Sequence, residues 1–215
     1  MSDTTGMLDI SGLGVRDAKA RDAALAAFGE ALLGAARAAD NVVRSTAETL
    51  VGLLASAEST ARSAACQGLG VVLIRDTEGP CLGDGGFRRI RDALIGLAAS
   101  GPEVDASCLA DALDEVARHR EATPSDRVAV VQALATTVAR TTKPFDAEHD
   151  ERIAYALAGV VAAGDVAPRE AADRFVMAQP YSGSARLNAK HVLRATAART
   201  GESAFAEAAD LLVTR

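Results

Sequence analysis

The sequence has no tryptophan, two tyrosines and five phenylalanines, so aromatic residues fill 3% of its 215 positions. Strands draw on aromatic and β-branched side chains, and a chain this poor in rings has little with which to build a sheet. Cysteine is scarce as well: Cys66, Cys81 and Cys108 form no C-x-x-C pair and leave one thiol over. Such usage fits a reducing compartment, and a cytoplasmic chain is expected. Lysine is confined to Lys19, Lys143 and Lys190, so arginine carries most of the positive charge. With 23 basic against 29 acidic residues the net charge is −6. An acidic chain without a basic stripe repels phosphate backbones, and nucleic acid is not an expected partner. The longest apolar run, Ile153 to Ala163, is roughly half of what a membrane-crossing helix needs, so no membrane partner is expected either. Met1 to Gly14 holds Asp3 and Asp9 but no basic cluster ahead of a long apolar segment, and a secretory leader is not expected.

What the sequence does have is alanine, 48 residues of it, within an apolar content of 49%. Alanine is the best helix former, and this much apolar side chain excludes disorder as the dominant state. The fold class read from the residues is all-α, with about nine to ten amphipathic helices. Residues 1–15 read as a flexible N-terminal tail. Residues 16–215 read as a single helical domain with a long-helix part (16–75), a Gly-rich loop (76–86) and an array of short helices (87–215).

The long-helix part contains no proline. Its apolar positions Leu25, Phe28, Leu32, Ala36, Ala39, Val43, Ala47, Leu50 and Leu54 recur with a mean step of about 3.6 residues, the period of a straight α-helix. A second helix fits Glu58 to Arg75, with Ser56 placed to cap it. If 25–54 is one helix it is about 45 Å long, more than the following short helices cover, and a homodimer through 25–54 is expected to bury the remainder. A turn at Asp40-Asn41 would instead fold the stripe back on itself.

Beyond residue 75 the six prolines Pro80, Pro102, Pro124, Pro144, Pro168 and Pro180 fall 22, 22, 20, 24 and 12 residues apart, about one per 22 until the last. Proline suits the first turn of a helix, and Asp105, Asp126 and Asp146 follow where an acid suits the positive end. The stripes between them are Phe87, Ile90, Leu94 and Leu97, then Leu109, Leu113 and Val116, then Val128, Val131, Leu134 and Val138. Ile153, Leu157 and Val160 follow, then Phe175 with Val176, Leu187 with Val192 and Leu193, and Phe205, Ala209 and Leu212. Two helices per roughly 40–47 residues is the period of HEAT and armadillo arrays. The stretch ALAGVVAAGDVAPREAA, Ala156 to Ala172, resembles the corner between two helices of a HEAT-like repeat. Two architectures share this pattern: an irregular bundle, and HEAT- or armadillo-like helical pairs over the C-terminal two thirds.

The segment most suited to chemistry is EGPCLGDGGFRRIR, Glu78 to Arg91. Gly83, Gly85 and Gly86 open a helix that carries Arg88, Arg89 and Arg91, and backbone amides with guanidinium forks there suit a phosphate or carboxylate. The segment lacks the GK[ST] of a P-loop, and Val71 to Ile74 before it reads equally as strand or as continued helix. Cys81 lies in the same loop, where a helix N-terminus and arginines favour a reactive thiolate. The histidines His119, His149 and His191 are far from it in sequence, and no catalytic residue is assigned. Glu115 with His119, and the cluster Asp146, Glu148, His149, Asp150 and Glu151, lack the Glu-x-x-His pairs of a di-iron bundle. No metal and no cofactor are expected. A helical transcriptional regulator would need basic and aromatic readers near a helix-turn-helix, which the first sixty residues do not supply. The expected function is a non-enzymatic helical interaction or scaffold module. The alternatives are a small-anion-binding protein or enzyme centred on 79–91 and, behind it, the transcriptional regulator.

Overall fold

A computed structural model of the chain describes residues 19–20, 23–24, 26–31, 40–180 and 183–212. Among the described residues the chain is helical and forms no strand, as expected from its composition. Residues 26–31 are helical, and the helices that follow are α1 (Asp40–Leu53), α2 (Ser59–Glu78), α3 (Gly86–Ser100), α4 (Ala106–Arg118) and α5 (Pro124–Ala139). After them come α6 (Ala147–Ala162), α7 (Pro168–Met177), α8 (Ser184–Thr200) and α9 (Ser203–Leu211). The tail expected over 1–15 lies outside the described residues. The chain divides into two compact units, the first ending at Glu115 and the second starting at Val116, within α4.

In the first unit α1 packs on α2 and α3, and α3 packs on α2. The described members of the N-terminal stripe, Phe28, Val43, Ala47, Leu50 and Leu54, are buried within the chain itself. They offer no bare apolar face of the kind on which the dimer expectation rests. Leu25, Leu32, Ala36 and Ala39 lie outside the described residues. Helix α2 reaches past Arg75 to Glu78, so Val71 to Ile74 is helix and the connecting loop begins only at Gly79. Ser56 does not cap it; the N-cap is Glu58, whose amide donates to Ser56 Oγ at 3.2 Å. Residues Arg62 to Gly70 of α2 are buried without interruption. Within that run Arg62 donates from Nε to Glu103 O at 2.7 Å and from Nη1 to Ser56 O at 2.7 Å, tying the turns at both ends of its neighbourhood to one guanidinium.

The second unit is built by contacts between next-but-one helices as well as sequence neighbours. Helix α7 packs on α5 and α9, α6 packs on α8, and α8 packs on α9. The acids after the prolines end up at helix starts. Asp146 caps α6 by accepting from the His149 amide at 3.0 Å, and Asp105 accepts from the Ser107 and Cys108 amides at 3.0 and 3.1 Å at the start of α4. Asp126 acts one turn further in: its carboxylate accepts from the Thr123 amide at 2.8 Å while Thr123 Oγ1 accepts from the Asp126 amide at 3.2 Å, a reciprocal capping box with Pro124 in the first turn.

The stripes predict most of the core, although Val128 and Val176 are only half-buried, and a third departure is informative. Leu187 is 45% exposed, and the inward place next to it on α8 belongs to Asn188. Asn188 Oδ1 accepts from the Phe145 amide and its Nδ2 donates to Lys143 O, both at 3.0 Å, so the connection before α6 hangs on a buried amide. Leaving those two backbone groups unpaired would cost more than burying one further leucine would gain. Leu134 and Leu157 have almost no exposed surface. Replacing either by alanine is expected to lower stability by about 2–5 kcal/mol, read from the midpoint of denaturant unfolding.

Candidate functional site

The Gly-rich loop runs from Gly79 to Gly85 between α2 and α3. Its first half is organised by Asp76, a residue of α2 with 2% of its surface exposed. One carboxylate oxygen of Asp76 accepts from the backbone amides of Cys81 and Leu82, each at 2.7 Å. Two convergent amides on one oxygen anion is the geometry a loop offers a bound phosphate or carboxylate, and here the chain supplies the carboxylate itself. The second half turns through Gly83 and Gly85, whose φ values of +68° and +76° favour glycine. Gly83 is doubly constrained, because a Cβ there would stand 3.3 Å from the Arg44 guanidinium. At Gly86, the first residue of α3, a Cβ would stand 2.6 Å from that of Leu82.

Beside the loop lies a cleft of about 200 Å³ between α1 and the start of α3. Ala47, Val51, Leu82 and Ile90 form its apolar lining, and Arg44, Glu48, Asp84 and Arg89 supply its charges. Arg89 pairs across the cleft with Glu48 at 3.0 Å. Of the residues expected to hold an anion, Gly86 and Arg89 line this cleft, and Gly83 and Gly85 shape the loop above it. Arg91 turns aside to Asp92 at 2.8 Å, with its guanidinium 6.0 Å from the centre of the Phe87 ring. Arg88 is exposed on α3. The six candidates are therefore adjacent but do not converge on one point.

Three charged members of this neighbourhood escape sequence reading, Asp76, Arg44 and Glu48. Arg44, Glu48 and Val51 do share one face of α1, offset from the buried stripe, and that spacing was the available signal. Nothing in the sequence distinguishes Asp76 from any acid near a helix end. Cys81 is 5% exposed, so the thiol of the expected reactive cysteine is covered. Cys66, on α2, is more deeply placed: burial pushes its thiol up to about 12, Asp105 adds to the rise and Arg62 opposes it. No bond joins any two of the three cysteines.

In the second unit the charged cluster at the start of α6 is organised by pairs. Asp146 accepts from the His149 ring at 2.6 Å, and the His149 side-chain and amide hydrogen bonds hold its carboxyl below the ordinary carboxylate range. The His149 ring stacks on Phe145 with centroids 5.3 Å apart. Asp150 faces His191 at 3.4 Å, and Glu151 bonds Arg199. His119 is fully buried, its Nδ1 accepting from the Glu121 amide at 3.2 Å. Among the described residues no three of His, Cys, Asp or Glu stand together as a metal would require, and no helix is long and apolar enough to cross a membrane.

A groove of about 830 Å³ opens along α5 and α7. Ala167 and Ala178 lie in it with Gln132, and Met177 stands at its edge with 84% of its surface exposed. Its charges are paired along α7, Arg174 with Glu170 at 2.9 Å and Arg169 with Asp173 at 3.3 Å.

The family described as Protein of unknown function (DUF2785) matches residues 105–193. That span is less than half of the chain; it takes in the groove and the start of α6 and leaves the Gly-rich loop outside. No curated protein matches the sequence.

The Asp76 contacts lead to a direct expectation. Asp76→Ala leaves two buried amides without an acceptor and should cost about 2–4 kcal/mol in denaturant unfolding. The same substitution should speed reaction of Cys81 with a thiol reagent under native conditions, measured beside a Cys81→Ser control.

Proposed function

We propose that the chain is a non-enzymatic helical interaction module that acts in the cytoplasm, built in its second unit as an array of helical pairs. The pairing of α5 with α7, α6 with α8 and α7 with α9 supports the array, since stacked hairpins bring next-but-one helices together. The observation that carries the interaction reading is the open groove along α5 and α7, where an almost fully exposed methionine stands among two alanines, a glutamine and four charged side chains. Methionine adapts its shape to a partner surface at little cost, and the neighbouring charges, already paired with one another, can form a polar rim. Three unbonded thiols agree with a reducing compartment. A photo-crosslinking residue at position 177 should attach a discrete protein partner in cells. Met177→Glu should weaken capture of that partner at least about tenfold while leaving the helical circular dichroism signal intact. Undiminished capture by the Met177→Glu protein, or no crosslinked species at all, would remove the groove from this role.

A second reading, a site for a small anionic ligand, is favoured by one observation: Arg44 and Arg89 line the same cleft over an apolar floor. Phosphate or a small carboxylate should then raise the thermal midpoint of the full chain, and Arg44→Ala should abolish the rise. Equal midpoints with and without these anions would discard it.

A further inference from the structure

The first unit carries two opposite charges that the fold leaves unused. In the cleft between α1 and the start of α3, Glu48 and Arg89 are spent on each other at 3.0 Å. Arg44 and Asp84 line the same cleft, and among the described residues neither makes a hydrogen bond or an ion pair. They stand near one another: a Cβ on Gly83 would be 3.3 Å from the Arg44 guanidinium, and Asp84 is the next residue. Asp84 precedes Gly85, the N-cap of α3, and no side chain caps that helix by a hydrogen bond. The remaining lining is apolar, with Ala47, Leu82 and Ile90 buried and Val51 half-buried. A volume of about 200 Å³ is room for roughly seven waters at about 30 Å³ each, a space for a molecule of amino-acid size.

We propose that this cleft takes a free apolar α-amino acid of about the size of leucine, with its carboxylate on Arg44, its ammonium on Asp84 and its side chain over Val51, Leu82 and Ile90. The proposal rests on the anion-site reading, in which Arg44 receives the negative group, and adds the opposite charge beside it. An α-amino acid carries its ammonium and carboxylate on one carbon, which suits a cation and an anion that stand close without pairing. A bare anion at Arg44 also meets the carboxylates of Asp84 and Glu48, and like charges at short range repel. A zwitterion turns Asp84 from a repelling group into a partner. The guanidinium offers paired N–H donors to the carboxylate, and the ammonium donates to the Asp84 oxygens. Glu48 and Arg89, already neutralised by each other, form the rim. All four charged side chains are exposed, so solvent screening keeps the affinity low, on the order of 1 mM.

The test is an amide chemical-shift titration of the full chain at low ionic strength with L-leucine, with isocaproate (leucine without its amine) and with glycine. Leucine should saturate, shift the amides of Leu82 to Gly86 and of Arg44 to Val51, and bind at least about threefold more tightly than isocaproate or glycine. Asp84→Asn should remove the advantage of leucine over isocaproate, and Arg44→Ala should weaken both ligands at least about threefold, each with the helical circular dichroism signal intact. Equal affinity for leucine and isocaproate in the unaltered chain overturns the amino-acid proposal and leaves the anion-site reading standing. A leucine advantage that survives Asp84→Asn overturns the proposal in the same way. Saturation by neither ligand, or shifts confined to other parts of the chain, overturns the proposal and the anion-site reading together. The ligand series on the unaltered chain decides even where a variant does not fold.

Discussion

Helices whose contact faces are rich in alanine must lie close together where the alanines meet, because short side chains gain dispersion energy only at short range. Ala64 and Ala65 on α2, Ala110 and Ala112 on α4, and Ala154 and Ala156 on α6 are all buried in this way. Close packing of small residues buries little apolar area per residue, so the few bulky anchors, Phe87, Phe175, Phe205 and the inward leucines, carry a disproportionate share of the hydrophobic stabilisation. It also leaves little slack where the chain turns between helices.

Three of the turns are held by single buried polar side chains, beside apolar residues such as Leu82 and Val166 that are buried in turns as well. Arg62 gathers carbonyl groups from two connections, Asp76 gathers two amides of the Gly-rich loop, and Asn188 serves the connection before α6. Each meets backbone groups that would otherwise be buried without partners, which is where a hydrogen bond contributes most. The loop that looks from its glycines like an anion cradle therefore already holds an anion. That anion is covalently part of α2, and the cleft alongside is lined by charges of both signs.

The helical fold and most of the core were legible because periodicity is a property of neighbouring residues along one helix. The stripe through Phe87, Ile90, Leu94 and Leu97 needed no knowledge of what it would pack on, and all four are buried. Likewise Asp105, Asp126 and Asp146 act on amides within three residues of themselves, so their roles follow from local sequence. Arg62, Asp76 and Asn188 are different, since two of them reach backbone about forty residues distant and the third holds amides of a loop whose path the helical pattern does not give. In a helical pattern each reads as an ordinary solvent-facing polar residue. The cleft was half legible for the same reason: Gly86 and Arg89 belong to the segment that drew attention, while Arg44 and Glu48 arrive from α1.

The uninterrupted burial of Arg62 to Gly70 bears on how the chain is made. A helix with one wet face can form early and wait for its neighbours, but α2 has no such face over these turns. During synthesis it emerges ahead of α3 and α4, so leucines, alanines and a cysteine that later face inward must spend that interval in water. Arg62, Ser63 and Gln67, three polar residues within the same turns, give the nascent segment a hydrophilic flank in that interval. Their later partners include Glu103 and Asp105, which leave the ribosome some forty residues afterwards. The polar groups that hold the finished unit together are thus the ones that keep its central helix wetted until the unit can close.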